Sequence, residues 1–239
     1  MNSLDLKSLA EIAGLIDHTL LRPEAARQDI QRLCREALQF RFASVCVNPW
    51  NVSEAAKLLQ ESGVRVCAVV GFPLGATLPQ VKRFEAEEAI RAGAREIDMV
   101  INIGALKSGD AEAFDSDIRG VVEAAHGGGA ITKVILETAL LSHEEKIRAA
   151  LAACRAGADF VKTSTGFGPA GATVEDVRLI RETIGSAVGI KAAGGVRTWD
   201  DLQKMVDAGA SRIGTSTGVE ILEQARVALA RDRSISPGF

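Results

Sequence analysis

The chain has no tyrosine, three histidines and four cysteines among its 239 residues. With so few histidines, and none at the spacing of metal ligands, a divalent metal centre is disfavoured. The cysteines Cys34, Cys46, Cys67 and Cys154 form no CxxC pair or Cys/His cluster, which disfavours a zinc site and a disulfide framework alike. We therefore expect neither a metal nor another cofactor, and a reduced, cytoplasmic protein.

The chain also lacks a large excess of charge of one sign and any long apolar run. The formal net charge is −3, so the chain has no basic field that would attract nucleic acid. No apolar run reaches the length that spans a membrane. Residues 1–5 show no basic segment followed by an apolar core, so the sequence predicts no secretory signal. We expect neither nucleic acid nor a membrane as a partner.

Short apolar runs alternate evenly with amphipathic stretches along the chain. Eight strand–helix pairs can be placed, and the strands are too apolar to face water. The pattern predicts an α/β fold, a (β/α)8 TIM barrel with an extra N-terminal helix over about residues 3–13. We expect residues 1–239 to form one catalytic domain. A doubly wound open sheet is the alternative, but the even rhythm without a long break favours the barrel.

Helix starts are predicted from polar side chains that can cap a first turn. A helix is expected from about Pro23, with that proline in its first turn, and the last helix is expected to end near Arg231. The predicted caps and their partners three residues later are Asn51 with Glu54, Thr77 with Gln80, Ser142 with Glu145, Thr173 with Asp176 and Thr198 with Asp201.

The segment 158–168 starts as an apolar strand and ends in small polar residues and glycines, with Lys162 in its middle. A lone lysine in a strand more often extends its amine to the rim, because an unpaired buried ammonium group is costly. Lys191, in the similar segment 189–195 one strand later, changes this interpretation. Burial and a neighbouring cation both favour a neutral amine, which is the nucleophile of Schiff-base chemistry.

Other polar side chains interrupt the apolar strands, namely Asp17, Asp98, Asn102, Lys133 and Glu137. Alternation along a strand puts Asp98 on one face with Asn102, and Lys133 on one face with Glu137. Because active sites of this barrel lie at the carboxyl ends of its strands, we expect these groups to share a cavity with the two lysines. A buried structural ion-pair network is the alternative. Taken alone, His18 and Cys46 are better interpreted as core residues.

Glycine-rich turns follow the sixth, seventh and eighth predicted strands. Glycine allows a close backbone approach, and a helix N-terminus presents free N–H groups to phosphate. Turns after the seventh and eighth strands form the recurrent phosphate site of this fold. The residues expected there are Gly166, Gly194, Gly195, Gly214, Ser216 and Thr217.

Seven motifs, in order and over nearly the whole chain, resemble those of deoxyribose-phosphate aldolases. They are segments 16–20, 45–49, 71–75, 96–102, 133–137, 161–166 and 191–197. The resemblance implies a class I aldolase, an aldehyde-lyase of deoxyribonucleotide catabolism. Such an enzyme reversibly cleaves 2-deoxy-D-ribose 5-phosphate to acetaldehyde and D-glyceraldehyde 3-phosphate. We also expect a homo-oligomer, either a dimer or a tetramer.

The resemblance also implies roles for individual residues. Lys162 would form the Schiff base, and Asp98 and Lys191 would be its proton-transfer partners. Asp17, Lys133, Cys46 and Thr165 would support the site, and the glycines and hydroxyls named above would bind phosphate. Two departures stand out. Phe167 occupies a position where some members have a lysine, and the chain lacks the C-terminal tyrosine that some members use in proton transfer.

Three other functions stay open. A different Schiff-base aldolase on the same barrel would share the lysine but accept another donor. A metal-dependent sugar-phosphate epimerase would need histidine and acidic ligands, which the strands do not supply. A non-catalytic barrel that binds sugar phosphates would keep the glycine turns but would need no paired lysines.

Overall fold

The computed structural model describes residues 8–235, with side chains described to residue 231. Eight parallel strands close into a barrel in chain order, which confirms the predicted TIM barrel. They are β1 (Ile16–Leu20), β2 (Ser44–Val47), β3 (Arg65–Val70), β4 (Glu96–Val100), β5 (Ile131–Ile135), β6 (Phe160–Lys162), β7 (Gly189–Ala193) and β8 (Arg212–Thr215). Within the described residues, no helix combines the length and apolar character needed to span a membrane.

Helices surround the barrel, and one precedes its first strand. The helices are α1 (Leu9–Ala13), α2 (Arg27–Phe40), α3 (Val52–Leu58), α4 (Pro79–Arg91), α5 (Ile103–Ser108), α6 (Ala111–Gly127), α7 (His143–Arg155), α8 (Val174–Ile184), α9 (Trp199–Asp207) and α10 (Gly218–Ile235). Short 3₁₀ turns cover Pro49–Asn51 and Thr138–Leu140. The N-terminal helix is confirmed as α1, and the part of that prediction over residues 3–7 lies outside the described residues.

Three of the five predicted helix caps are confirmed by the structure. The side chains of Ser142, Thr173 and Thr198 accept hydrogen bonds from the backbone three residues later, as predicted. The caps at Asn51 and Thr77 are wrong, since neither α3 nor α4 has a side-chain cap. A 3₁₀ turn precedes α3, and α4 begins at a proline, which is already suited to the first helical position.

Two other helix boundaries also differ from the prediction. Pro23 precedes α2, which begins at Arg27, and α10 continues past Arg231 to Ile235. Helix α5 was not predicted. Asn102, expected on the barrel face of the fourth strand, instead caps α5 by accepting a hydrogen bond from Ala105 N at 3.1 Å.

Alternation along the strands separates two environments. On β4, Ile97 and Met99 belong to the large apolar cluster that fills the space between strands and helices. Glu96 and Asp98, which alternate with them, are also fully buried, but their contacts are with charged groups of other strands. The apolar layer therefore holds the barrel together, and the barrel interior is left for a polar site.

Candidate active site

Asp98 on β4 lies at the centre of the barrel interior and contacts three lysines. Its Oδ2 accepts hydrogen bonds from Lys162 Nζ at 2.8 Å and from Lys191 Nζ at 2.7 Å. Its Oδ1 accepts one from Lys133 Nζ at 2.8 Å. Lys162 and Lys191 are directly paired across β6 and β7, so the strand register itself brings the two amines to the same carboxylate.

A second layer of charges lies beside Asp98. Asp17 Oδ2 is 2.5 Å from Lys191 Nζ, and Asp17 Oδ1 is 2.7 Å from Arg212 Nη1. Glu96 Oε2 is 2.5 Å from Lys133 Nζ and 3.2 Å from the same Arg212 nitrogen. Three carboxylates thus face four cations inside the barrel, which lets all of these charges be buried.

The pairing fixes the charge states of the buried groups. Burial by itself raises the pKa of a carboxyl group, but the neighbouring cations outweigh it at Asp17 and at Asp98, where the pKa lies well below its usual range. Burial by itself lowers the pKa of a lysine, but the carboxylates outweigh it and raise the pKa of Lys133 and Lys191. At neutral pH the two aspartates are therefore ionised and these two lysines are protonated.

Lys162 differs from the other two lysines in its access to a cavity. Its side chain is 3% exposed and contacts one carboxylate, whereas Lys133 and Lys191 are fully buried and contact at least two each. It lines a cavity of about 350 Å³ at the carboxyl ends of the strands. Among these lysines it alone combines a carboxylate partner with access to a space that can hold a small molecule.

The predicted phosphate residues mostly line this cavity. Gly166, Gly194, Gly195, Gly214 and Ser216 are part of its wall, together with Thr165. A Cβ atom on Gly214 would lie 3.0 Å from Cε of Lys191 and from Cβ of Ala193, so a side chain there would crowd that lysine. Thr217 does not line the cavity. Its hydroxyl donates to the carbonyl oxygen of Arg197 at 3.2 Å, and so it fixes the turn that precedes α10.

Several residues of the site were not found from the sequence. Arg22 lines the cavity just beyond the carboxyl end of β1, and so does Arg197 beyond β7, although Arg197 belongs to the predicted motif 191–197 and only its role was not assigned. Glu96 and Arg212 belong to the buried charge network. The alternation that selected Asp98 could have found Glu96, because it lies two residues earlier on the same face of β4.

Two predicted candidates lie apart from the charge network. His18 is buried, its Nε2 lies 2.7 Å from Glu36 Oε2, and its ring packs against Phe42, which agrees with its interpretation as a core residue. Glu137 lies beyond the end of β5, where its carboxylate contacts Thr165 and none of the three lysines. The strand β5 ends at Ile135, so the alternation that starts at Lys133 does not reach Glu137.

Cys46 packs in a small apolar cluster with Leu21, Cys67 and Val69. One ligand atom each of Cys46, Cys67 and Asp98 lie within 4.8 Å of one another, which raises the question of a metal ion. The donor set does not fit one, because three ammonium groups already contact Asp98 and would repel a cation. Burial also raises the pKa of the Cys67 thiol, which keeps it protonated.

This geometry can be compared with known proteins. A family model for DeoC/LacD family aldolases matches residues 12–224. A deoxyribose-phosphate aldolase from Exiguobacterium sibiricum is 58% identical over 212 residues, which cover 88% of this chain and 95% of that protein. One from Thermococcus gammatolerans is 57% identical over 218 residues, or 90% and 97% of the two chains.

A solved structure extends the comparison to three dimensions. The tetrameric deoxyribose phosphate aldolase from Aeropyrum pernix superposes with a TM-score of 0.87 at 37% identity, over 93% of this chain and 94% of that one. Fold, sequence and the family match thus agree over most of the described residues. The chain, with its cluster of lysines around Asp98, belongs to the DeoC/LacD family of aldolases.

Proposed function

We propose that this protein is a deoxyribose-phosphate aldolase, an aldehyde-lyase that forms a Schiff base on Lys162. It reversibly cleaves 2-deoxy-D-ribose 5-phosphate to acetaldehyde and D-glyceraldehyde 3-phosphate. One observation carries the proposal: Lys162 lines the cavity and shares the Oδ2 atom of Asp98 with a protonated Lys191. The curated relatives, which are named deoxyribose-phosphate aldolases, support the same activity.

The first step is attack of the Lys162 amine on the C1 aldehyde of the open-chain sugar. Asp98 Oδ2, at 2.8 Å from Nζ, accepts the proton that the ammonium group must lose. Lys191 sits at 2.7 Å from the same oxygen and carries a positive charge, so it opposes a second positive charge on Lys162. Lys191 also donates a proton to the carbinolamine oxygen, which leaves as water and gives the iminium ion.

The second step breaks the C2–C3 bond. The iminium nitrogen accepts the electron pair of that bond while a base removes the proton of the C3 hydroxyl group. Asp98 first passes the proton it took from Lys162 to Lys191, which restores both groups, and Asp98 is then the base, directly or through a water molecule. D-glyceraldehyde 3-phosphate leaves, the remaining enamine is protonated at C2, and hydrolysis of the imine releases acetaldehyde and restores Lys162.

The phosphate of the substrate binds at the glycine-rich end of the cavity. Gly194 and Gly195 allow a close backbone approach there, and Ser216 supplies a hydroxyl group. Arg22 and Arg197 line the same cavity, and we propose that they supply the positive charge that a lysine supplies in some members, where this chain has Phe167. The charge complementarity supports a phosphorylated sugar as the substrate.

Reductive trapping tests the proposed function. Borohydride added with acetaldehyde should inactivate the enzyme and leave one reduced adduct on Lys162, located by peptide mapping. Lys162→Met should abolish the adduct and turnover while the protein stays folded. Lys82→Met is the matched control, because Lys82 is also fully buried and paired with an aspartate, Asp117, but lies outside the barrel interior. An adduct on another lysine would reject the assignment.

The same trapping distinguishes another Schiff-base aldolase. If pyruvate or dihydroxyacetone were trapped on Lys162 in place of acetaldehyde, the donor would be different while the lysine chemistry held. A barrel that only binds sugar phosphates would bind the substrate without any borohydride-dependent inactivation. The three functions therefore give three different results in one experiment.

We also propose that the protein forms a homo-oligomer and works as one catalytic domain in the cytoplasm. Exposed apolar side chains on α4 and on the turns before α3 and α4 support self-association, among them Trp50 at 92%, Leu74 at 74% and Phe84 at 61%. The relative from Aeropyrum pernix is a tetramer. Free thiols at all four cysteines agree with a reducing compartment. Phe84→Glu should lower the molar mass measured by light scattering.

A further inference from the structure

Glu137 has a backbone conformation that is unusual for its residue type and its surroundings. Its φ and ψ angles are 56° and 61°, in the left-handed region that side chains rarely adopt. Among the described residues, Arg41 and Glu61 are the other non-glycine residues with positive φ, and both are exposed. Glu137 is 3% exposed. Strained backbone that persists in a buried place beside an active site points to a function for the residue.

The carboxylate of Glu137 is directed at the turn that follows the Lys162 strand. Its Oε2 accepts hydrogen bonds from the backbone N of Thr165, at 3.3 Å, and from the Thr165 hydroxyl group. The Thr165 hydroxyl oxygen in turn accepts a bond from Phe167 N at 3.0 Å. Oε1 of Glu137 is buried and has no hydrogen-bond partner among the described residues. A buried carboxylate without full pairing is costly, so packing alone does not explain it.

Gly168 shows how closely the turn is built around this carboxylate. A Cβ atom on Gly168 would lie 2.8 Å from Cδ of Glu137 and 2.9 Å from each carboxylate oxygen. The backbone of Gly168 therefore passes directly against the carboxylate, while Thr165 holds it from the other end of the turn. Glu137 thus contacts the four-residue segment 165–168 near both of its ends.

This segment forms one wall of the proposed phosphate end. Thr165, Gly166 and Phe167 line the cavity beside Gly194, and the Phe167 ring packs edge-on against Phe72 with centroids 5.3 Å apart. We propose that Glu137 is a positioning residue that sets this wall for the phosphate group of the substrate, without contacting the substrate itself. This role of Glu137 rests on the proposed function. It accounts for the preference of the enzyme for phosphorylated sugars.

Two substitutions separate the backbone of Glu137 from its carboxylate. Glu137→Gly relieves the left-handed conformation but removes the acceptor for Thr165. Glu137→Gln keeps the shape and one acceptor oxygen, but it places an amide N–H₂ group where no acceptor has been found. Glu61→Gln is the matched control, because Glu61 is the same residue type with φ of 61° on the exposed surface.

The assay compares cleavage of 2-deoxyribose 5-phosphate with cleavage of unphosphorylated 2-deoxyribose, together with borohydride trapping of acetaldehyde. For Glu137→Gly we expect KM for the phosphorylated sugar to rise about tenfold or more, which is the loss expected for buried hydrogen bonds to a charged group. The ratio of kcat/KM between the two sugars should fall by the same factor. Acetaldehyde carries no phosphate group to be positioned, so its trapping rate should stay within about twofold. Glu137→Gln should fall between wild type and Glu137→Gly, and Glu61→Gln should match wild type.

Two results would overturn the proposal. An unchanged ratio between the two sugars in both Glu137 variants would show that the carboxylate does not set the wall. An equal loss for both sugars, with trapping reduced to the same extent, would show that Glu137 only maintains the folded site. Failure of the proposed function would look different, because wild type itself would then trap no acetaldehyde on Lys162.

Discussion

Substituting Lys191 by methionine tests whether charge or burial activates Lys162. Methionine has nearly the length of lysine and no charge, and Asp17 keeps Arg212 while Asp98 keeps Lys133 and Lys162, so the folded barrel is retained. The structure predicts two changes, and both act in the same direction. The repulsion between two ammonium groups that share Asp98 Oδ2 is lost, and Asp98 retains Lys162 as the remaining partner of that oxygen. Both changes favour the protonated form of Lys162, so imine formation should need a higher pH.

The contact distances give the size of this shift. Because Nζ of Lys162 and Nζ of Lys191 lie 2.8 and 2.7 Å from the same oxygen atom, they are no more than about 5.5 Å apart. Two unit charges at that separation repel each other by about 3 kcal/mol at an effective dielectric constant of about 20. Since one pH unit corresponds to about 1.4 kcal/mol, the midpoint of imine formation should rise by about 2 pH units.

The assay is the pH dependence of the rate at which acetaldehyde is trapped on Lys162 in single-turnover reactions. Lys191→Arg keeps the positive charge and should leave the midpoint near that of wild type, but turnover should fall because guanidinium does not exchange protons near neutral pH. Lys82→Met controls for removal of a buried, paired lysine elsewhere. An unchanged midpoint in Lys191→Met would refute the electrostatic argument and leave burial as the cause of activation.

Three further outcomes are expected from the charge network. Chelation with EDTA should not change the cleavage rate, because three ammonium groups contact Asp98; activity restored by added metal would contradict this. Asp17 and Asp98 have lowered pKa values, so their ionised forms add stability above about pH 4 that is lost on further acidification. The raised pKa values of Lys133 and Lys191 keep their contribution up to at least about pH 10, so the difference in Tm between wild type and Lys133→Met, measured by calorimetry, should stay constant between these limits. Lys133→Met should lower the free energy of unfolding in urea by about 3–5 kcal/mol, since it leaves Glu96 and Asp98 short of a partner; a loss below about 1 kcal/mol would mean that the carboxylates take up protons instead.

The barrel was predictable because its determinants are local and repeated. Each strand is a short apolar run, and the caps at Ser142, Thr173 and Thr198 obey the spacing of a first helical turn. The failures at Asn51 and Thr77 have a common physical cause. Nearby prolines at 49 and 79 fix the backbone where the chain turns, so the helix start is set by geometry and not by a side-chain oxygen.

Side chains of the candidate site could be predicted only where they follow the alternation of side chains along a strand. Lys162 and Lys191 are found because each interrupts an apolar strand, and the register then brings them to the same carboxylate. Arg212 escapes this test, since it is the first residue of β8 and an arginine at a strand end is ordinary on a protein surface. Its guanidinium nevertheless reaches inward to Asp17 and Glu96, on two strands far away along the chain. Which polar residues share a barrel interior depends on closure of the sheet, because closure brings β8 beside β1, and no local pattern contains that information.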